Sequence, residues 1–390
     1  MRIGILTFHR QLNYGGVLQA IALLRAIAEL RPRAAVEIIN LWHDRRDAAL
    51  LGKVDNPNFS FLARWRNKRR AKRTPFGREA FKYRICKTKI LLERYGGLSP
   101  ETYKTGQALS RLPQYDTIVF GSDQIWNPTF DLTGPPDRNP YLGGSLPEAQ
   151  QRVAYAASFG VEALPQEMYP AYRNAFSHFR EVSVRETSGS RLFSDITGDP
   201  PPPVVPDPTL LHSAAFWKAW SSQRPTPTAP YLVAYWLDGV DAKRIAWLET
   251  YSRRVNLPIH LLVSKPIAVN PERSGVIIPH FDADPMDFVA LIAHCEAILT
   301  DSFHGMVFAS IFGRKGACFL PAEMNDATGP RRFHDFFATY GLSAAIYDLK
   351  ALAEGRLSPE AVTPSPLAMT PARFEAEQQL GRTLLDRMLP

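Results

Sequence analysis

Cysteine is scarce. Cys86, Cys295 and Cys318 are spread over 390 positions, which excludes a disulfide framework and matches no zinc-ligand spacing. Cys295 and Cys318 lie in apolar runs and read as small core residues, so a reducing compartment is expected. Long apolar runs are also lacking. None reaches the about eighteen residues that a membrane span needs, and Arg2–Phe8 meets His9-Arg10 too early for the apolar part of a signal peptide. A soluble, cytoplasmic protein is the expectation. No metal-ligand cluster is visible, and the loop Gln11–Gly16 has neither the glycine spacing of a dinucleotide-binding turn nor that of a P-loop.

Acidic residues are nearly missing from one stretch. Between Leu62 and Arg94 thirteen Lys/Arg stand against two Glu, a local balance of +11, while the rest of the chain carries −3 of the total +8. Trp65, Phe76, Phe81 and Tyr83 are interleaved with these charges. The arm reads either as a solvated helical excursion or as a contact for a polyanion or an anionic membrane surface. A membrane contact would make the protein peripheral at the inner face of the membrane. No nucleic-acid motif accompanies the charge, so no nucleic-acid partner is expected.

What is present is apolar material for two cores, 45 % of residues against 22 % charged, arranged in a β/α rhythm. Arg2–Phe8 reads as a buried strand, Val17–Ala26 as a helix of high propensity and Val36–Trp42 as a second strand, a β-α-β opening that predicts a parallel sheet. Gly15-Gly16 before the helix reads equally as a plain turn or as a cradle for a phosphate or carboxylate. Apolar runs then end repeatedly in polar residues: Asp116–Phe120 in Gly121-Ser122-Asp123-Gln124-Ile125-Trp126-Asn127, Val153–Ala157 in Ser158-Phe159-Gly160, Glu181–Val184 in Arg185-Glu186, and Pro203–Val205 in Pro206-Asp207-Pro208. Parallel strands would bring these ends to one rim. Ser122, Asp123, Gln124 and Asn127 there offer hydrogen bonds to sugar hydroxyls, or serve as caps and Asx turns.

Arg224–Pro230, with three prolines, marks a linker between residues 1–223 and a second unit over 231–365. In that unit Tyr231–Leu237 and Ile259–Val263 read as strands, with a helix to about Arg254 between them. Pro285–His294 is helical and leads into Ala297–Gly313, read as strand, turn and helix, in which Phe303, Val307, Phe308 and Ile311 share a face. Asp301 or Ser302 is the N-cap and Gly313 the C-cap. Such a turn lies where open α/β sheets bind ligands, and its helix start offers amide donors to an anion. His304, in the first turn, sits beside that anion or is a core histidine satisfied by backbone. Ala317–Leu320 is another strand, Arg331–Tyr340 a helix with Phe333, Phe336 and Phe337 inward, and a last helix over 371–388 is free to cross back to the first unit.

Six of these segments, in this order, resemble the polysaccharide pyruvyl transferase family: Gly4–Gln19 with its Asn13-Tyr14-Gly15-Gly16, Gly121–Asn127, Tyr155–Gly160, Ser183–Glu186, Asp207–Leu211 and Thr300–Gly305. The resemblance implies two Rossmann-like domains in a glycosyltransferase-B-like arrangement with an interdomain cleft, the acceptor on the N-terminal side and the donor on the C-terminal side. It implies transfer of a pyruvyl group from phosphoenolpyruvate to a sugar of a cell-surface or exopolysaccharide precursor, a lipid-linked or oligosaccharide acceptor, giving a pyruvate ketal, with no cofactor or metal. The family's strand-end arginine matches Arg185, its histidine His304 and its Asp-Pro pair Asp207-Pro208. Where some members carry Arg-Leu-His this chain has Ser302-Phe303-His304, so one donor-binding arginine is absent from that place; other relatives share the Ser-Phe-His-Gly form.

Phosphoenolpyruvate needs several cationic or amide donors. Arg185 can grip one anionic group bidentately, the helix start at Ser302 the other, and His304 can protonate the methylene carbon. Asp123 is the candidate for orienting or deprotonating the acceptor and Asp207 for steadying Arg185 or the cationic intermediate. Asn13, Gly15, Gly16, Ser122, Gln124, Asn127, Asp207, Asp301 and Ser302 are the expected substrate-binding residues. A nucleotide-sugar glycosyltransferase of the same two-domain design is the alternative.

Overall fold

The computed structural model describes residues 1–10, 13–42, 78–95, 97–104, 109–129, 139–144, 146, 150–237, 239–264, 267–321 and 332–390. Two parallel sheets organise them. Strands β1 (Arg2–Leu6), β2 (Ala35–Ile38), β5 (Thr117–Phe120), β6 (Gln151–Ala157) and β7 (Glu181–Val184) form the first sheet in the order β2-β1-β5-β6-β7, while β3 (Leu41–Trp42) and β4 (Tyr103–Lys104) pair separately. The run Val36–Trp42 is thus two strands rather than one. It is interrupted where the Asn40 amide turns to Ser99 Oγ, 3.0 Å away. Pro203–Val205 does not form a full strand but a single bridge from Val204 to Val184.

The second sheet contains β8 (Leu232–Trp236), β9 (Ile259–Val263), β10 (Ile277–His280), β11 (Ala297–Thr300), β12 (Lys315–Leu320) and β13 (Ala345–Asp348) in the order β10-β9-β8-β11-β12-β13, with β14 (Ser365–Pro366) antiparallel on β12. Within each sheet the order is that of a doubly wound Rossmann-like unit, reversing between β1 and β5 in the first and between β8 and β11 in the second. Buried residues alternate between the two faces of each sheet. Ile3 and Ile5 face one core cluster and Leu6 and Phe8 another; Val233 and Tyr235 face one and Leu232, Ala234 and Trp236 the other. Helices therefore cover both sides, as parallel sheets require.

The helix Tyr14–Leu30 is apolar on nearly every side because it is covered on nearly every side. Val17, Ile21 and Leu24 face the first sheet, while Tyr14, Leu18 and Ala22 belong to the core of the second unit. Tyr14 stacks on Phe288 at 4.8 Å between centroids and meets Tyr235 at 5.2 Å. Each large apolar side chain buried in this way contributes about 1.5–3 kcal/mol, so this helix binds the units together.

The basic arm is described from the helix Arg78–Tyr95 onward; residues 62–77, including most of its charge, lie outside the described residues. The guanidinium of the buried Arg84 lies 4.0 Å from the Tyr14 ring and donates to Val263 O at 2.6 Å. Lys87 donates to Asp287 at 3.0 Å. Two cations of the arm are thus engaged within the molecule, on the second unit. No helix among the described residues is long and apolar enough to cross a membrane.

The C-terminal helix Pro371–Met388 packs on the first unit, with Leu385 and Met388 in the core beside Ile27 and Arg382 donating to Leu211 O at 2.8 Å. Gly381 is the point of closest approach. A methyl there would lie 2.7 Å from Leu211 Cδ2 and Tyr155 Oη and 2.8 Å from Pro206 Cγ. Alanine would gain about 0.5–1 kcal/mol of helix stability, but overpacking against three groups costs about 1–3 kcal/mol. Gly381→Ala is therefore expected to destabilise, lowering the urea midpoint at unchanged slope; a raised midpoint would refute this packing.

Candidate active site

The ends of β1, β5, β6 and β7 converge with the turn after Val205, and the end of β11 meets them from the second unit. Backbone in the left-handed region shapes this rim: Gly121 has φ 109°, Asp123 71° and Ala156 50°, the last at the register shift between β6 and β7. Such conformations cost non-glycine residues about 1–3 kcal/mol each and persist only where the surroundings hold them. Here Ser122 Oγ donates to Ala156 O at 2.8 Å and Ser158 N to Asp123 O at 3.0 Å.

Asp207 lies at the centre, 1 % exposed. Its Oδ1 accepts from the Thr209 amide at 3.0 Å and hydroxyl at 2.8 Å, forming the cap of the short turn Pro208–Leu211. Its Oδ2 accepts from Arg185 Nη1 at 2.8 Å and, more weakly, from Ser122 Oγ at 3.4 Å. His304 Nε2 approaches the same oxygen at 3.3 Å, within ion-pair distance but off the line of a hydrogen bond. Burial would raise the Asp207 carboxyl, but the charges and contacts of His304 and Arg185 and the Thr209 amide outweigh it and hold the group well below the usual carboxylate range. It is an anion at every physiological pH.

Arg185, 7 % exposed, uses one nitrogen on Asp207. Its Nη2 stands 3.8 Å from Asp123 and its Nε 3.9 Å from Glu186, beyond hydrogen-bond reach, and its guanidinium lies 4.8 Å from the Phe303 ring. Burial opposes the charge, but the three carboxylates prevail and raise its pKa further. Burial raises the Glu186 carboxyl despite Arg185; its Oε1 accepts from the Phe159 amide at 3.1 Å.

His304 is the second residue of the helix Phe303–Ile311, whose N-cap is Ser302: Ser302 Oγ accepts from the Gly305 amide at 3.3 Å. The imidazole is 4 % exposed and no backbone group satisfies Nε2. It is wedged against the helix Tyr14–Leu30 at Gly15, where any Cβ would collide with Nδ1 and Cγ of the ring. Gly15 thus makes room for a histidine from the other unit.

The remaining expected substrate-binding residues hold the rim. Asn13 caps the first helix by accepting from the Gly15 amide at 3.0 Å, and Gly16 O accepts from Gln19, whose Oε1 in turn accepts from the Ser122 amide at 3.1 Å. Asn127 donates to Gln124 at 2.7 Å and accepts from both donors of Thr129. Asp301 accepts from the Leu237 amide at 2.7 Å. Arg185, His304, Asp123 and Asp207 are brought together; Asp301, Gln124 and Asn127 have their polar groups engaged in turns around them.

Sequence reasoning missed Arg332, which opens the helix Arg332–Tyr340 and stands close enough to Arg185, Glu186 and Asp123 to sense their charges. Burial first, then repulsion by Arg185, pushes its guanidinium down to about 10. Its motif-free surroundings gave no signal. Among the described residues no cluster of His, Cys, Asp and Glu could hold a metal ion. A cavity of about 320 Å³ lined by Tyr83, Leu91, Arg94, Arg224 and Met286 lies against the helix Arg78–Tyr95, away from these groups.

The family model for polysaccharide pyruvyl transferase matches residues 13–321, most of the chain, with Asp123, Arg185, Asp207 and His304 inside the match. The chain belongs to this family. No curated protein matches it significantly in sequence. Among solved structures it is similar to the ADP-heptose lipopolysaccharide heptosyltransferase II of Escherichia coli, at 14 % identity over 97 % of this chain and 99 % of that one, with a TM-score of 0.38. It is also similar to the UDP-GlcNAc 2-epimerase of Neisseria meningitidis, at 11 % identity over 99 % and 100 %, with a TM-score of 0.48. The reading of this pyruvyl transferase family member as two Rossmann-like units rests on its strand order.

Removing one partner from a buried ion pair costs about 3–5 kcal/mol, because the other charge stays buried. Asp207→Asn should therefore lose about that much in urea unfolding, and Arg185→Met in the same chain should restore more than half of it. The pH sign follows from the depressed carboxyl. Its stabilisation is complete above the unfolded value of about 3.9 and disappears as pH falls through the lower folded value. The stability that is lost on replacement of Asp207 by Asn should be present at about pH 5 and shrink in acid. Additive effects of the two substitutions would show that the pair is not coupled.

Proposed function

We propose that this member of the family transfers a pyruvyl group from phosphoenolpyruvate to two hydroxyls of a sugar in a lipid-linked or oligosaccharide precursor, forming a cyclic ketal. The observation that supports it is the single buried carboxylate, Asp207, holding a guanidinium from one unit and an imidazole from the other. That arrangement sets a cationic clamp beside a proton donor, which an enol phosphate requires.

In this reading Arg185 holds an anionic group of the donor and the protonated His304 delivers a proton to the methylene carbon, leaving positive charge at C2 that the Asp207 carboxylate stabilises. A sugar hydroxyl attacks C2, and its proton passes to Asp123. The bond from C2 to the phosphate oxygen then breaks, and phosphate departs with the proton from Asp123. A second hydroxyl closes the ketal, and its proton restores His304. Atoms and charge balance: phosphoenolpyruvate and a diol give ketal and phosphate, with no redox step. The lipid-linked form of the acceptor and an anionic membrane contact through residues 62–94 belong to the same proposal.

Incubation of the full chain with phosphoenolpyruvate and a crude glycan acceptor should release phosphate and incorporate pyruvate in equal amounts. His304→Gln should lower kcat by about 10²–10⁴-fold, and Arg185→Lys should raise KM for phosphoenolpyruvate because the planar fork is lost. Nucleotide release from nucleotide sugars, with no phosphate from phosphoenolpyruvate, would decide for a glycosyltransferase instead.

A further inference from the structure

Two guanidiniums, one from each unit, stand over neighbouring aromatic rings at the rim of this site. Arg185 lies 4.8 Å from the Phe303 ring and Arg332 5.4 Å from the Phe333 ring, and the two ring centroids are 5.6 Å apart. The helix that carries Arg332 is tied beside Arg185: Asp335 Oδ2 accepts from the Thr187 amide at 2.6 Å and from its hydroxyl at 2.8 Å, two residues beyond Arg185. Arg185 spends one of its five donors on Asp207. Nε of both arginines is buried with no hydrogen-bond partner, and among the described residues Arg332 has neither a hydrogen bond nor a carboxylate within ion-pair distance. Arg332 as a whole residue is partly exposed, while its Nε is buried.

Asp207, Asp123 and Glu186 stabilise the charge of Arg185, while among the described residues none of them comes within ion-pair distance of Arg332. Asp207 is shared with His304 and turned toward the Pro208–Leu211 turn. Asp123 and Glu186 face Arg185 only at ion-pair range, and burial favours the neutral form of Glu186. Asp335 is directed to Thr187. Arg332 lies near Arg185, whose charge it senses as repulsion. Two like charges brought together are costly to bury, and guanidinium donors left without a hydrogen bond match the oxygens of a phosphate.

We infer that Arg332 and Arg185 together bind a phosphate group between the two units, Arg332 being the second cation of the donor site and the residue that makes the site select a phosphorylated donor. The inference rests on the reading of this cluster as the donor site. Phosphoenolpyruvate and a nucleoside diphosphate would both present the chemistry; Arg332 recognises the phosphate they share. The alternative is that Arg332 only packs on Phe333 and balances Glu186.

The test is calorimetric titration of the full chain at low ionic strength with inorganic phosphate, phosphoenolpyruvate and UDP, using wild type, Arg332→Gln and Arg332→Lys, each with its melting temperature recorded without ligand. Loss of a charge-assisted pair weakens binding by about ten- to a hundredfold. Arg332→Gln is expected to weaken phosphate and the tighter of the two organic ligands by that factor, with Arg332→Lys in between, because the charge remains and the fork does not. Wild type that binds UDP but not phosphoenolpyruvate would end the pyruvyl-donor reading and leave this inference standing, provided Arg332→Gln weakens UDP. Unchanged affinities in both variants would overturn the inference, as would a fall in melting temperature alone, or wild type that binds none of the three ligands. If Arg332→Gln does not fold, Arg332→Lys carries the same comparison.

Discussion

One buried carboxylate carries the geometry of this site. Asp207 caps a turn in the first unit, receives Arg185 from the end of β7 and faces His304 at the end of β11. Arg185 could not stand where it does without that anion, since an uncompensated charge in a dry interface costs several kcal/mol. The carboxylate is in turn unable to move. Its Oδ1 is committed to Thr209, and the strand end beside it is locked by Ser122, Gln19 and Ala156. Rigid support of this kind keeps His304 and Arg185, which come from separate units, in register.

The two sheets explain why the site forms here. Each reverses its strand order once, and a doubly wound sheet opens a crevice at the carboxyl ends of the strands flanking that reversal. In the first unit the crevice is bounded by β1 and β5, whose following residues are the Gly15-Gly16 helix start and Gly121-Ser122-Asp123; in the second, β11 delivers His304. His304 packs on Gly15, so the crevices face each other.

Much of this was legible in the sequence because apolar runs ending in polar residues predict strand ends on one rim, and six segments in family order predict which ends matter. Arg185, Asp123, Asp207 and His304 are all strand-end or turn residues, and the structure unites them. Periodicity could not say that Gln124 and Asn127 would turn to each other, nor that Ser122 would be buried beneath the rim; a hydrogen-bonding side chain looks alike whether it waits for a sugar or closes an Asx turn. Arg332 was illegible for a different reason. Its importance lies in the neighbour it meets, 147 positions away along the chain, and a lone arginine at a helix start has no pattern to betray that.

The same geometry bears on how a substrate enters. Arg185, Asp207 and His304 are all nearly closed to solvent, so under the proposed function the units part locally to admit a donor. Their contacts are unequal. Around the helix Tyr14–Leu30 the interface is aromatic and deeply buried, with Tyr14 enclosed by Phe288, Tyr235 and the guanidinium of Arg84. On the far side of the site the tie from Thr187 to Asp335 is exposed, and exposed hydrogen bonds exchange with water at a net cost of about 0.5–1.5 kcal/mol. Separation is therefore easiest at the edge where Asp335 meets Thr187, with the Tyr14 contact as pivot.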